Sequence, residues 1–213
     1  MLKRIKNLFK INRKEERITV EQKIEDLFES LNEDTMLIEI GSDLVPFGVL
    51  ICDIISELRN EVQSECGFIL PAIRVRDNVF IQENELIISV RSKVKENLFM
   101  VPNEQSIREE LYDILKSIVY DSIDSIFTNE IAEKYINTVQ RNNSWLVWNM
   151  TNVISVIDIK TILSDIILKG KSIKNIDYVF EKIGEQIFSD NNYRDCLKKY
   201  NPHVIAKQVV KSL

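Results

Sequence analysis

The sequence predicts a helix-dominated α+β fold, with a small α/β sheet subdomain followed by an all-helical subdomain. Three observations carry that prediction. Alternating or β-branched apolar runs are confined to the stretch between residues 35 and 100. From residue 106 onward, apolar residues recur every three to four positions, the period of a helix face. Only 5 glycines and 4 prolines punctuate the 213 residues, which supplies few turns for an all-β sandwich.

In chain order, residues 1–18 form a basic amphipathic arm. Lys3, Arg4, Lys6, Lys10, Arg13 and Lys14 occur there without an acid before Glu15, and Leu2, Ile5, Leu8 and Phe9 share a helical face. Such a segment lies on an anionic membrane surface, with Lys3, Arg4, Lys6 and Lys10 as its contacts, or it stays a solvated arm. Residues 19–34 predict a short helix and linker. Thr19 and Gln22 have capping-box spacing, and Ile24, Leu27, Phe28 and Leu31 follow at helical period.

The sheet subdomain spans 35–100. Met36–Ile40 is a strand candidate that Gly41-Ser42-Asp43 breaks. Ile51, Ile54, Ile55, Leu58 and Val62 mark a helix from about Gly48 to Cys66, and Gly67 is placed to end it as a left-handed cap. Phe68–Arg76, Val79–Gln82 and Glu85–Arg91 predict three further strands, separated by turns at Asp77-Asn78 and Glu83-Asn84. A boundary falls at Met100–Gln105.

The helical subdomain spans 106–213. Ser106 and Glu109 have capping-box spacing before a long helix carrying Leu111, Leu115, Ile118 and Ile126. Thr128 opens the next helix, with Ile131, Tyr135, Ile136 and Val139. Asn142-Asn143-Ser144 is a break, and Trp145–Ile154 is a short apolar helix. Ser155 with Asp158 caps another helix, which Gly170 ends. Ile173, Ile176, Val179, Phe180, Ile183 and Ile187 define one more, and a last helix runs through Leu197 and then Val204–Val210.

Bulk properties narrow the function. A net charge of -5 gives no global basic field for nucleic acid, so nucleic acid is not an expected partner. Cys52, Cys66 and Cys196 are sparse, odd in number and without metal-ligand spacing, which points to reduced thiols, with Cys52 and Cys66 as packing residues. The longest apolar run falls short of the roughly 20 residues a membrane span needs, and the N-terminus lacks the pattern of a secretory signal.

Several motifs carry a family resemblance. They are Leu37-Ile38-Glu39-Ile40-Gly41, Leu44-Val45-Pro46, and the stretch Gly67-Phe-Ile-Leu-Pro71-Ala-Ile-Arg74-Val-Arg76-Asp77-Asn78. Together they resemble the cytosolic part of FHIPEP, the export-gate family of type III secretion and flagellar export. Glu83-Asn84-Glu85-Leu86 is similar to that family's Pro-Asn-Glu-Tyr turn, with Glu83 replacing proline. Lys169-Gly170-Lys171-Ser172-Ile173-Lys174-Asn175-Ile176 resembles its helix–turn–helix element. The likeness is good over Leu37–Arg91 and looser over Asn129–Leu213. It implies a non-enzymatic, cytoplasmic scaffold or adaptor that works through protein contacts, with ring self-assembly, and the basic arm would hold it at the inner face of the membrane. The family's membrane domain, its inserted subdomain and its C-terminal subdomain have no counterpart here, since Ser92–Ser106 is too short for the insertion. Met1 and the basic arm suggest a natural start.

Candidate chemistry is thin, and no catalytic residue, metal ligand or cofactor is expected. His203 is the only histidine and has no partner at a catalytic spacing. Arg74 and Arg76 share a strand face beside Asp77, as an anion site or as plain strand structure. Lys169-Gly170-Lys171-Ser172 lacks the preceding glycine of a phosphate loop. Trp145 and Trp148, three apart, share a helix face as core or as a protein-binding hot spot. The alternative function is therefore a monomeric binding module that uses Trp145 and Trp148, unrelated to export.

Overall fold

A computed structural model describes residues 34–188 and 201–213. The chain divides after Asp34, and every element below belongs to the compact unit Thr35–Leu213. The expected arm, the short helix after Thr19, and Cys196 lie outside the described residues.

β1 (Met36–Ile40) alternates strictly, with Met36, Ile38 and Ile40 buried. A 3-10 turn (Ser42–Phe47) leads into α1 (Gly48–Cys66), whose stripe of Ile51, Ile54, Leu58 and Val62 is buried. The chain then returns as β2 (Ile73–Asp77), parallel to β1. β3 (Glu85–Val90) pairs antiparallel with the other edge of β1, and β4 (Lys93–Phe99) pairs antiparallel with β3. The sheet order is β2-β1-β3-β4.

Two expected strands are corrected. Phe68–Arg76 is strand only from Ile73, because the Ile69 N–H bonds the Tyr135 hydroxyl and not a neighbouring strand. Val79–Gln82 is a turn. The Asn78 side chain accepts from the Phe80 N–H, the Glu85 carboxylate accepts from the Gln82 N–H, and no strand of the described residues lies alongside. Conversely, β4 is a strand that the sequence pattern does not predict.

α2 (Glu104–Asp121) follows, then α3 (Ile123–Ile126), α4 (Asn129–Asn142), α5 (Ser144–Thr151), α6 (Val156–Leu168), α7 (Ile176–Phe188) and α8 (Pro202–Ser212). The cap of α2 is Asn103, not Ser106, whose N–H the Asn103 side chain accepts. The expected long helix stops at Asp121, and Ile126 falls in the separate α3. Thr128 caps α4, and Ser155 with Asp158 forms a complete capping box on α6. Ile173 is buried but lies before α7, where its N–H bonds the Cys66 carbonyl. Cys66 is buried as expected, whereas Cys52 is exposed on the outer face of α1 and is not a packing residue.

One continuous hydrophobic core joins the sheet to the helices, from Ile38 in β1 to Val209 in α8. Phe68, Phe127 and Tyr135 stack through it, with ring centroids 5.2 and 5.8 Å apart. α2 lies along α1, where Lys116 reaches Glu61 and Glu65, and the Tyr120 hydroxyl donates to Glu65. These contacts hold the Glu65 carboxyl below its usual range, chiefly through the Tyr120 bond. Being partly or fully exposed, they align the helices more than they stabilise them.

Candidate protein-binding site

The family-like motifs meet in space. Gly67 ends α1 at φ 79°, and a Cβ there would lie 2.6 Å from the Lys174 amide nitrogen. The two resembling segments, Gly67–Asn78 and Lys169–Ile176, therefore touch at a backbone contact that only glycine permits. Tyr135 of α4 closes the junction. Its hydroxyl donates to the Gly67 carbonyl at 2.6 Å and accepts from the Ile69 N–H at 2.9 Å. Burial pushes its phenol up to about 12.

The remaining motif residues brace the end of the sheet. Arg74 and Arg76 are exposed on β2, and Arg76 pairs with Glu39 across the parallel strands at 2.8 Å. Asn78 donates to the same Glu39 oxygen. Asp77 ends β2, and Pro71 supplies a carbonyl to Arg59. A Cβ on Gly41 would collide with the Gln82 and Glu83 carbonyl oxygens, which explains the glycine after Glu39-Ile40. In the turn that resembles the family's, buried Glu85 accepts from the Gln82 N–H and from Asn97.

Trp145 and Trp148 stand apart from this bracing. α5 forms because Asn143 caps it and because Leu146, Val147 and Met150 bury its other face. Gly184 of α7 permits that packing, since a Cβ there would meet the Leu146 side chain at 2.8 Å. The two tryptophans face solvent at 71% and 65% exposure. Val79 and Phe80, in the turn after β2, form another exposed apolar spot at 81% and 95%. Lys3, Arg4, Lys6 and Lys10 lie outside the described residues.

A cleft of about 1090 Å³ opens beside the Gly67 junction, between α1, the segment before β2, and α4. Arg59, Ile69, Lys134 and Lys174 line it. Sequence patterning does not reveal it, because Tyr135 and Ile173 read there only as apolar-face residues.

His203 has a carboxylate partner that sequence spacing could not show. Its Nδ1 lies 2.7 Å from Asp165 of α6, which also sits 3.5 Å from Lys169. Among the described residues, no group of His, Cys, Asp or Glu is arranged to hold a metal ion. Gly170, at φ 72°, ends α6 in the left-handed region. No helix of the described residues is long and apolar enough to cross a membrane.

No protein-family model matches this chain. Flagellar biosynthesis protein FlhA of Bacillus subtilis (strain 168) is 23% identical over 238 residues, covering 87% of this chain and 35% of its own length. This chain thus spans little more than a third of that relative. The matched stretch is longer than the whole 213-residue chain, so the relative carries additional residues within it. The Chlamydia pneumoniae CdsV protein, solved in complex with CdsO, matches with TM-score 0.66 at 14% identity, over 84% of this chain and 69% of its own. The nonameric EscV cytosolic domain from the type III secretion system matches with TM-score 0.64 at 12% identity, over 83% and 63%. At these identities the structural likeness is one of fold.

The fold class is that of the export-gate cytosolic domains, helix-dominated with a small mixed sheet. The resemblance to the FHIPEP family holds in sequence and in fold.

Proposed function

We propose that this chain is a non-enzymatic scaffold of the export-gate type, which acts through protein–protein contacts and assembles with copies of itself. The observation that carries this reading is the Trp145/Trp148 pair, exposed on a helix whose opposite face is already buried. Tryptophan carries a large apolar area, and an exposed pair contributes little to the core beneath it. A closed ring joins two different faces of each subunit. Val79 and Phe80 supply a second exposed apolar spot of the kind such a contact uses. The nonameric state of the EscV cytosolic domain supports a ring over a dimer.

The reading places the protein in the cytoplasm, with Lys3, Arg4, Lys6 and Lys10 drawing it to an anionic membrane face. Vesicles containing anionic lipid should sediment the protein at low salt, and neutral vesicles should not. Equal binding to both would remove the membrane part of this reading.

The scaffold part is tested by sedimentation of wild type beside the Trp145→Ala/Trp148→Ala variant. Wild type should associate, and the variant should stay monomeric with an unchanged melting temperature. Unfolding of the variant would make the tryptophans structural and refute the contact role.

A further inference from the structure

The cleft beside Gly67 has features that neither the scaffold reading nor the tryptophan face uses. The segment Ile69–Pro71 belongs to no helix or strand; Tyr135 holds its Ile69 N–H and Arg59 its Pro71 carbonyl. Ile69 is 53% exposed on the cleft wall.

The cleft is lined by Arg59, Lys134 and Lys174 against the carboxylate of Glu130. Arg59 donates to the Pro71 carbonyl, its Nε is buried without a partner, and it makes no ion pair among the described residues. The Lys174 ammonium likewise makes no ion pair among them. Lys134, by contrast, is held by the carboxylate of Glu130. In a chain of net charge -5, this leaves Arg59 and Lys174 at the cleft without an ion-pair partner among the described residues, since the Glu130 carboxylate that also lines it is held by Lys134. A guanidinium in such a place favours a carboxylate, which returns charge-assisted hydrogen bonds to it.

We propose that this cleft docks an extended, acidic segment of a partner protein. The segment places a carboxylate on Arg59 and a second near Lys174, and packs an apolar side chain against the exposed Ile69. The inference rests on the reading of the chain as a protein-binding scaffold, but it concerns a different face from Trp145 and Trp148.

The test uses the full chain and a fluorescently labelled ten-residue peptide of alternating glutamate and leucine, read by anisotropy. A lysine–leucine peptide of the same length is the control. The acidic peptide should bind, and binding should weaken with salt. Arg59→Gln and Lys174→Gln should each weaken it at least about fivefold, the loss expected for one charge-assisted bond. Lys207→Gln, exposed on α8, should not change it.

Should Arg59→Gln disturb folding, Lys174→Gln decides alone, because Lys174 is exposed. Equal binding of both peptides, or no effect of Lys174→Gln, overturns the proposal. So does displacement by free glutamate or inorganic phosphate at the peptide's own midpoint, which would make the cleft a small-anion site. Native mass measured on the same samples separates the two claims. A monomer that binds the peptide refutes the ring alone, and a ring that does not bind it refutes this proposal alone. Self-association lost in Lys174→Gln would make the occupant a second copy and overturn it too.

Discussion

At the scale of single residues, glycine and tyrosine hold the motif junction together. Gly67 and Gly170 both have positive φ, but only at Gly67 would an added Cβ meet backbone, as close as 2.6 Å. Gly67→Ala should therefore cost more than the roughly 1–3 kcal/mol of left-handed strain alone, and Gly170→Ala should cost only that strain. Paired thermal melts check the difference, and equal losses would contradict the contact with Lys174. Tyr135→Phe removes a donor to the Gly67 carbonyl and an acceptor for the Ile69 N–H, so a loss of about 1–3 kcal/mol is expected. The same residue carries a pH signature. Its folded pKa, about 12, lies above the ordinary phenol value of 10.0, so the neutral phenol is favoured by folding. That stability is complete below pH 10.0 and is lost as pH rises towards 12. Denaturation of wild type and Tyr135→Phe across this window should show a steeper alkaline loss in wild type; parallel profiles would sink the assignment.

At the scale of elements, capping chemistry was legible in part: Asn103, not Ser106, caps α2, but other caps fall as read. Thr128 and the Ser155/Asp158 box act where their spacing put them. Ser155→Ala should cost about 1 kcal/mol in a denaturant titration, and no loss would mean α6 is held by packing alone. The helix faces and the strands β1 and β3 were equally plain, because each buries a periodic apolar set. β4 was not plain, since most of Lys93–Phe99 is exposed and no buried alternation exists to read. Its turn is also disguised, because Arg91 and Ser92 take positive φ where glycine or asparagine would signal a hairpin. Ser92→Gly should relieve strain and raise the melting temperature. Phe80 misled in the opposite sense, since an apolar pair resembling a strand is an exposed turn. The tryptophans show the limit of pattern. Spacing places both on one face of α5, but whether that face is covered depends on α7, whose position no local pattern encodes.

At the scale of the whole molecule, the motif residues serve the fold, and the exposed residues are those left for partners. Gly41, Gly67, Glu39, Arg76 and Asn78 are engaged in turns, close approaches and cross-strand pairs. Their likeness to the export-gate family therefore speaks for shared architecture, and the proposed function rests instead on the exposed Trp145/Trp148 surface. Native mass of the full chain across concentration, by sedimentation or light scattering, tests this most directly. A self-assembling scaffold should grow with concentration to a plateau at one closed species of many subunits. A monomer at every concentration would contradict the account.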